Sequence, residues 1–403
     1  MTRKSAVPPA ALGFADILHP VTPAEFFAEY YDRKLLHVPG GAEKFANVMS
    51  WPVLTDLLNK TAIWSSTSLQ LALDTAIVPP GQYCRAARSR DGKDILQPDA
   101  ERVMDLLRRG ASLVANDIDT LTPELAGFAG ALETALHGKA QANLYCSWKQ
   151  HQAFGSHFDT HDVYAVHVAG EKLWRIYETR ADNPIAHPAF KSFGQEWHDR
   201  NRGAVAREIL MRPGDLLYIP RGLYHDALAT SDATVHIAFG VTHVIGMEAF
   251  DMLSTLAVGD PAFRRNMPRP EDGPAAAAAW LADLGDRLAT MSREPRAIEA
   301  MQRHQAGFRY PRGGISLPVQ AAGRRFRLIA SSLSVEPRNG AAVLAGPKGA
   351  VPIPGGLSEP VAWIVGRPEF DEAEFAAAFP AMDGAAREKL LRELAGMKVI
   401  AVR

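Results

Sequence analysis

Cysteine is nearly missing from this chain: Cys84 and Cys146 are the only two in 403 residues. Two thiols cannot build a disulfide framework, so both read as inert core thiols in a reducing compartment. Long apolar runs are missing as well. No stretch approaches the roughly 18 uninterrupted apolar residues of a membrane helix, and the opening MTRKSAVPPAALGF is too polar for a signal peptide. There is no excess of one charge. The 44 Lys/Arg and 45 Asp/Glu leave a formal net charge of -1, which gives no global pull toward nucleic acid or membrane. No internal repeat is visible, and the run Ala275 to Ala279 is too short to count as low complexity. These absences describe a soluble, cytoplasmic protein. Its 47% hydrophobic content is enough to fill two or three domains.

What is present centres on Ala142 to Glu178, ANLYCSWKQHQAFGSHFDTHDVYAVHVAGEKLWRIYE, and on MRPGDLLYIPRGLYH, which ends at His225. In an extended chain, residues two apart project to the same face, so His157 and Asp159 can reach one point. The second segment reads as a turn at Pro213 to Asp215, a strand Leu216 to Ile219 and a second turn at Pro220 to Gly222 before His225. Two imidazoles and one carboxylate form a facial triad that leaves cis positions open on an octahedral metal, the usual ligand set of non-haem Fe(II) oxygenases. His161, two further along, is a possible fourth ligand or a neighbour of the metal ligands. His167 reads as a core histidine, and His236 as a contact of the metal or of a co-substrate. Lys172 shares a strand face with the apolar Trp174 and Ile176, where a buried ammonium needs a partner. The nearby acid Glu171 points to the other face, and so does Arg175.

Around this centre the chain predicts helices and strands in a definite order. Thr22, Pro23 and Glu25 mark a helix start, KLLHV a short strand, and Trp51 to Leu58 a helix. A helix ends at Gly110, a strand spans 111–115, and Thr122 to Glu124 opens a helix through Leu136. Two strands are expected between 142 and 177, with a turn at Ala169 to Glu171. The polar stretch 179–207 reads as a long excursion over the barrel mouth, and Val235 to Val241 as a closing strand. From Gly246 the pattern turns helical, with a connector at 268–274. Positions 301–350 carry eight Lys/Arg against the single acid Glu336. Strand-like pieces, helices over 371–378 and 385–395 and a final strand then suggest a winged-helix-like module. Its helix DEAEFAAA is acidic and would repel phosphate, which argues against direct nucleic-acid binding.

The motifs NLY, GSHFDTHDVYAVHVAGEKLWRIYE, RPGDLLYIPRGLYH and VHIAFG together resemble the JmjC-type cupins called ribosomal oxygenases. FFAEYYDRKLLHV and RRGASLVANDIDTLTPEL also resemble that family, so the likeness extends over nearly the whole chain. It implies an α+β protein with a double-stranded β-helix core at 1–245, a helical dimerisation region at 246–305 and a winged-helix-like domain at 306–403. It implies Fe(II), with 2-oxoglutarate and O2 as co-substrates, and hydroxylation of an Arg or His side chain of a ribosomal protein by a homodimer. His157, Asp159 and His225 fall on the metal positions, and Asn143, Tyr145 and Lys172 on positions that hold 2-oxoglutarate. The sequence departs from the family at Ser156, where proline is usual, at Phe158, where tyrosine is usual, and at His161, normally not a histidine. Other readings stand beside this one. The chain could be a metal cupin acting on a small molecule or another peptide, or a non-catalytic metal-binding protein whose winged helix is the working part.

Overall fold

Strand periodicity and turn chemistry decide where this chain folds back on itself. The computed structural model describes residues 12–88, 92, 94–148, 152–312, 324–330, 333–338, 340–346 and 349–402. The N-terminal stretch 1–11, part of the basic region (313–323) and Lys348 lie outside the described residues. Met1–Arg312 and Gly313–Arg403 form two compact units. The helices between Gly246 and Gly307 therefore belong to the same unit as the two sheets described next.

The first unit contains β1 (Leu36–Val38), β2 (Leu69–Leu73), β3 (Ala76–Ile77), β4 (Cys84–Arg88), β5 (Asp94–Pro98), β6 (Ser112–Ala115) and β7 (Gly138–Trp148). It continues with β8 (Asp162–Ala169), β9 (Lys172–Arg180), β10 (Val205–Met211), β11 (Leu216–Ile219), β12 (Leu223–Ala229) and β13 (Ala233–His243). Eight strands form a large antiparallel sheet in the order β1-β11-β8-β13-β7-β6-β2-β3, and β10-β9-β12 form a smaller one. Residues from both sheets, among them Val163, Ala165, Trp174, Ile176, Ile209 and Leu217, pack into one apolar cluster. A second, larger cluster lies on the other side of the large sheet, where Phe128 of the helix Pro123–Leu136 stacks on Phe239 with centroids 4.2 Å apart.

Several boundaries coincide with local chemistry. Thr22 Oγ1 accepts from Glu25 N at 3.1 Å, and Thr122 Oγ1 from Leu125 N at 3.2 Å; each satisfies a free N–H at a helix start. Gly214 closes the turn before β11 at φ +95°. A Cβ there would stand 2.0 Å from the Gly41 carbonyl oxygen, so only glycine fits. The region expected to hold two strands holds three, because β7 ends at Trp148 and β8 starts only at Asp162. The ligand segment between them is therefore not a ladder strand. Among its described residues it forms one isolated antiparallel bridge, His157 to His225.

The excursion 179–207 contains two short helices, Pro188–Lys191 and Gln195–Asn201, and the second packs against the ligand segment. Its aromatic residues explain this, since Phe193 and Trp197 stack at 3.7 Å and join Phe158, Tyr177 and Tyr224 in one cluster.

Helices Gly246–Ala257, Pro274–Ser292 and Pro295–Gly307 follow the barrel. The chain then returns to the core at Arg312, which binds both Asp119 and Glu133 and donates to the Ala140 carbonyl. In the second unit, Arg325–Leu328 is the central strand between Glu369–Asp371 and Ile400–Val402. Ser334–Arg338, Ala341–Gly346 and Gly349–Pro352 form a meander. Helices Ser358–Val365, Glu372–Ala378 and Gly384–Gly396 enclose a core that includes Phe326, Ile364, Phe375 and Leu394.

The Arg312 contact yields a stability prediction. Glu133 is buried, so Arg312→Ala would leave its carboxylate without its cation, at a cost of about 3–5 kcal/mol. Urea unfolding of the variant should show a correspondingly lower midpoint, and a shift below about 1 kcal/mol, the range of an exposed pair, would contradict the assignment.

Candidate metal centre

The backbone sets the geometry of the centre. His157 N donates to His225 O at 3.1 Å and His225 N donates to His157 O at 2.9 Å, so the two residues sit directly opposite each other. Their rings are 4.7 Å apart. Asp159 joins them, and one ligand atom from each of His157, Asp159 and His225 lies within 4.8 Å of the others. His225 Nε2 stands 3.5 Å from Asp159 Oδ2.

Both imidazoles are oriented by carbonyls two residues back in the chain. His157 Nδ1 bonds Gly155 O at 2.9 Å and His225 Nδ1 bonds Leu223 O at 2.9 Å. A carbonyl can only accept, so in each ring Nδ1 carries the proton and Nε2 keeps its lone pair for a metal. Burial, followed by the neighbouring His225, pushes the His157 imidazole below its ordinary pKa. Burial also works to lower His225, but the hydrogen bond and charge of Asp159 outweigh it and raise that ring. At Asp159 burial opposes ionisation; the hydrogen bond from His225 and the charges of His161, His157 and His225 overcome it and hold the carboxyl well below the usual range. The site thus brings a carboxylate and two imidazoles to one point, a donor set suited to a divalent cation.

A cavity opens beside this set, lined by Tyr145, Phe154, Lys172, Trp174 and His236 together with the three donors. Lys172 is buried, and among the described residues its Nζ hydrogen-bonds one neutral acceptor, Ser147 Oγ, at 3.4 Å. Burial pulls its pKa down to about 8. His236 stacks on Tyr145 with centroids 4.8 Å apart and rings 8° from parallel. Burial, then Lys172 and His167, pushes the His236 imidazole well down. Among the described residues, His236 Nδ1 and Trp174 Nε1 are buried with no hydrogen-bond partner. Buried polar groups normally find partners. An ammonium with one weak contact, an orphaned indole N–H and a tyrosine on one cavity fit an anionic, oxygen-bearing ligand.

The other sequence candidates fall at varying distances from this point. Asn143, two residues before Tyr145, gives its amide oxygen to Asp117 N at 3.1 Å. His161 packs on Gly240 and bonds Asp162 O at 3.1 Å, outside the three-residue donor group. His167 Nε2 bonds Gly170 O at 2.9 Å, which leaves its Nδ1 without a partner. Arg175 is on the opposite strand face, bound to Asp226 at 2.8 Å, and Glu171 is bound to Arg212 at 3.1 Å. Arg221, a conceivable second cation for the cavity, bonds Asn183 instead and does not line it. Sequence reasoning did not find Phe154, Ser147 or the orienting carbonyls of Gly155 and Leu223. A carbonyl carries no side-chain signature, so no sequence signal could have marked those two.

Comparison with known proteins finds likenesses to this region and to the fold. Residues 122–248, which span every donor and every cavity residue named above, match the JmjC domain. The chain is 27% identical over 232 residues to the bifunctional lysine-specific demethylase and histidyl-hydroxylase NO66 of Aedes aegypti, covering 56% of this chain and 34% of that protein. It is 26% identical over 224 residues to ribosomal oxygenase 1 of Rattus norvegicus, covering 54% and 34%. The chain thus spans about a third of the length of these curated relatives. Among solved structures it resembles the Escherichia coli ribosomal oxygenase YcfD in complex with cobalt and 2-oxoglutarate. The TM-score is 0.51 at 14% identity, over 95% of this chain and 99% of that one. At that identity the likeness shows the fold: a JmjC cupin built on a large antiparallel sheet.

The buried ammonium gives a pH prediction. Lys172 has a depressed pKa in the folded state, so between about pH 8 and the unfolded value near 10.4 the unfolded chain binds more protons than the folded one. Stability from this group therefore rises with pH through that window, by roughly 3 kcal/mol at most, and the penalty is fully present below it. Urea midpoints compared between pH 8 and 10 should show this rise in the ligand-free protein and lose it in Lys172→Met. An identical pH slope in both would place the ammonium in solvent.

Proposed function

We propose that the chain is an Fe(II)- and 2-oxoglutarate-dependent oxygenase that hydroxylates a protein side chain, an arginine or histidine of a ribosomal protein. The observation that carries this reading is the pairing of two elements in one cavity: a His-Asp-His donor group and a buried, nearly unpartnered ammonium. A simple metal cupin has no need of the second. The names of the relatives supply the substrate class, since NO66 is called a histidyl-hydroxylase and the others ribosomal oxygenases.

In this reading His157, Asp159 and His225 hold the metal through Nε2 lone pairs and a carboxylate oxygen. Lys172 neutralises the far carboxylate of 2-oxoglutarate, Tyr145 donates a hydrogen bond to it with Asn143 alongside, and His236 forms the stacked wall behind Tyr145. Fe(II), 2-oxoglutarate and O2 together supply the oxidation of an unactivated C–H bond, with succinate and CO2 as co-products. The protein's own contribution is orientation and dryness. Trp174, Val163, Ala227 and Ala238 line the cavity and keep bulk water away.

The remaining parts take supporting roles. Region 246–305 serves as a dimerisation surface, supported by Phe250 and Leu281, each 57% exposed on neighbouring helices. The second unit, which takes up most of 306–403, is read as a winged-helix-like domain, supported by the three helices and two small sheets around one core among its described residues. The acidic turns of the helix Glu372–Ala378 disfavour direct nucleic-acid binding. No helix among the described residues is long and apolar enough to cross a membrane, and the cytoplasm, where ribosomal proteins are made, suits the activity.

Turnover is the direct test. Protein supplied with Fe(II), ascorbate and O2 should convert 2-oxoglutarate to succinate, and His157→Ala or His225→Ala should abolish this. Lys172→Ala should keep the metal and raise the KM for 2-oxoglutarate about thirtyfold to nearly a thousandfold, the range for losing a buried charge-assisted contact. An unchanged KM would exclude Lys172 as the carboxylate's partner. Mass spectrometry of ribosomal proteins from cells with and without the protein should then find a one-oxygen mass increase on an arginine or histidine. Light scattering at tens of micromolar (roughly where an obligate dimer persists) should report twice the chain mass, and Phe250→Asp should halve it; a monomeric wild type would contradict the dimer.

A further inference from the structure

Because the ligand segment is extended, its odd-numbered side chains, His157 and Asp159, face the metal centre. Its even-numbered ones, Ser156 and Phe158, face the opposite way, and both meet the helix Gln195–Asn201. Ser156 Oγ donates to Asp199 Oδ1 at 2.9 Å, and Gln195 Nε2 donates to Ser156 O at 3.0 Å and to Asp199 Oδ1 at 3.1 Å. Gln195 also lies against Gly155, where an added Cβ would stand 2.5 Å from it. This matters because the Gly155 carbonyl fixes the His157 ring. Ser156 is buried, and its hydroxyl supplies a donor that a proline there would lack.

The same segment reaches the other histidine. Arg202 Nε stands 3.6 Å from Asp199 Oδ1, an ion pair beyond hydrogen-bond distance; the guanidinium lies 4.5 Å over the Tyr177 ring and donates to the Tyr177 oxygen. Tyr177 in turn donates to Asp226 Oδ2 at 2.5 Å, and Asp226 directly follows His225 in the chain. On the other side of His225, Tyr224 packs edge-on against Phe158 at 5.2 Å, and its hydroxyl stands 3.3 Å from His198 Nδ1. A continuous path of polar contacts therefore runs from Ser156, beside one metal-binding histidine, to Asp226, beside the other.

We propose that residues 195–202 form a positioning clamp, with Asp199 at its centre, that holds the two histidine-bearing segments in register from behind. This inference rests on the reading of His157, Asp159 and His225 as metal ligands. Asp199 touches neither metal nor co-substrate; it acts through Ser156 and Arg202 and is a positioning residue. The excursion between β9 and β10 then has a specific task, which is to fix the donor geometry before any metal arrives.

The test is a Co(II) titration of the full chain, followed by the visible absorption of the bound ion, with thermal melting alongside. Asp199→Ala should weaken Co(II) binding by about tenfold or more, the usual effect of removing a group that orients a ligand, and should change the absorption bands. Asp199→Asn keeps the oxygen that accepts from Ser156 and should recover most of the affinity and the wild-type spectrum. Should Asp199→Ala not fold, Ser156→Ala, which removes one hydroxyl, should produce the same spectral change. Wild-type affinity and bands in the alanine variants would overturn the clamp, as would an asparagine variant no better than alanine. Failure of the wild-type protein to bind Co(II) would instead overturn the metal-site reading itself, and the clamp with it.

Discussion

The two backbone hydrogen bonds between His157 and His225 are the constraint on which the rest of the site depends. They bring together residues 68 positions apart in sequence and fix their Cα atoms in register. Each imidazole is then aimed by a carbonyl two residues earlier, and Asp159 follows because an extended chain puts it on the same face as His157. Breaking this bridge would part His157 and Asp159, on one segment, from His225 on β12. Most of the surrounding architecture serves to keep it: β12 is held by β9, and the ligand segment is held by the excursion behind it.

Electrostatics and burial divide the cavity into two chemically different ends. At one end a carboxylate and two imidazoles with free lone pairs are matched to a cation. At the other a desolvated ammonium stands with the orphaned N–H of Trp174 and the stacked pair Tyr145 and His236. Leaving such groups unpaired inside a protein costs stability, and that cost is commonly kept where a ligand removes it. A small molecule bearing one metal-chelating end and one carboxylate end would satisfy both. This complementarity connects the fold shared with JmjC proteins to the proposed chemistry more directly than sequence identity does.

Much of the centre was legible in the sequence because it depends on local rules. The His-x-Asp spacing, the turns at Pro213 to Asp215 and Pro220 to Gly222, and the placement of Lys172 on the Trp174 face all follow from period-two geometry and turn chemistry. Helix starts at Thr22 and Thr122 were legible for the same reason, since an N-cap is decided within four residues. The strand count between 142 and 177 was not. Whether an extended segment joins a ladder depends on which partner edge is free, and residues 155–161 meet only one bridge.

By itself, then, the sequence determined which residue types stand at which spacing: the three donors, the lysine and the order of strands that could carry them. Tertiary structure decided the rest. It left His161 outside the donor group, against Gly240. It packed the helix Gln195–Asn201 of the excursion 179–207 against the ligand segment. The physical reason is that these outcomes depend on partners far away in the chain. A side chain's face follows from its neighbours in sequence, but what occupies the space beyond that face is set by packing, and here it is the aromatic cluster of Phe158, Phe193, Trp197 and Tyr224 that settled it.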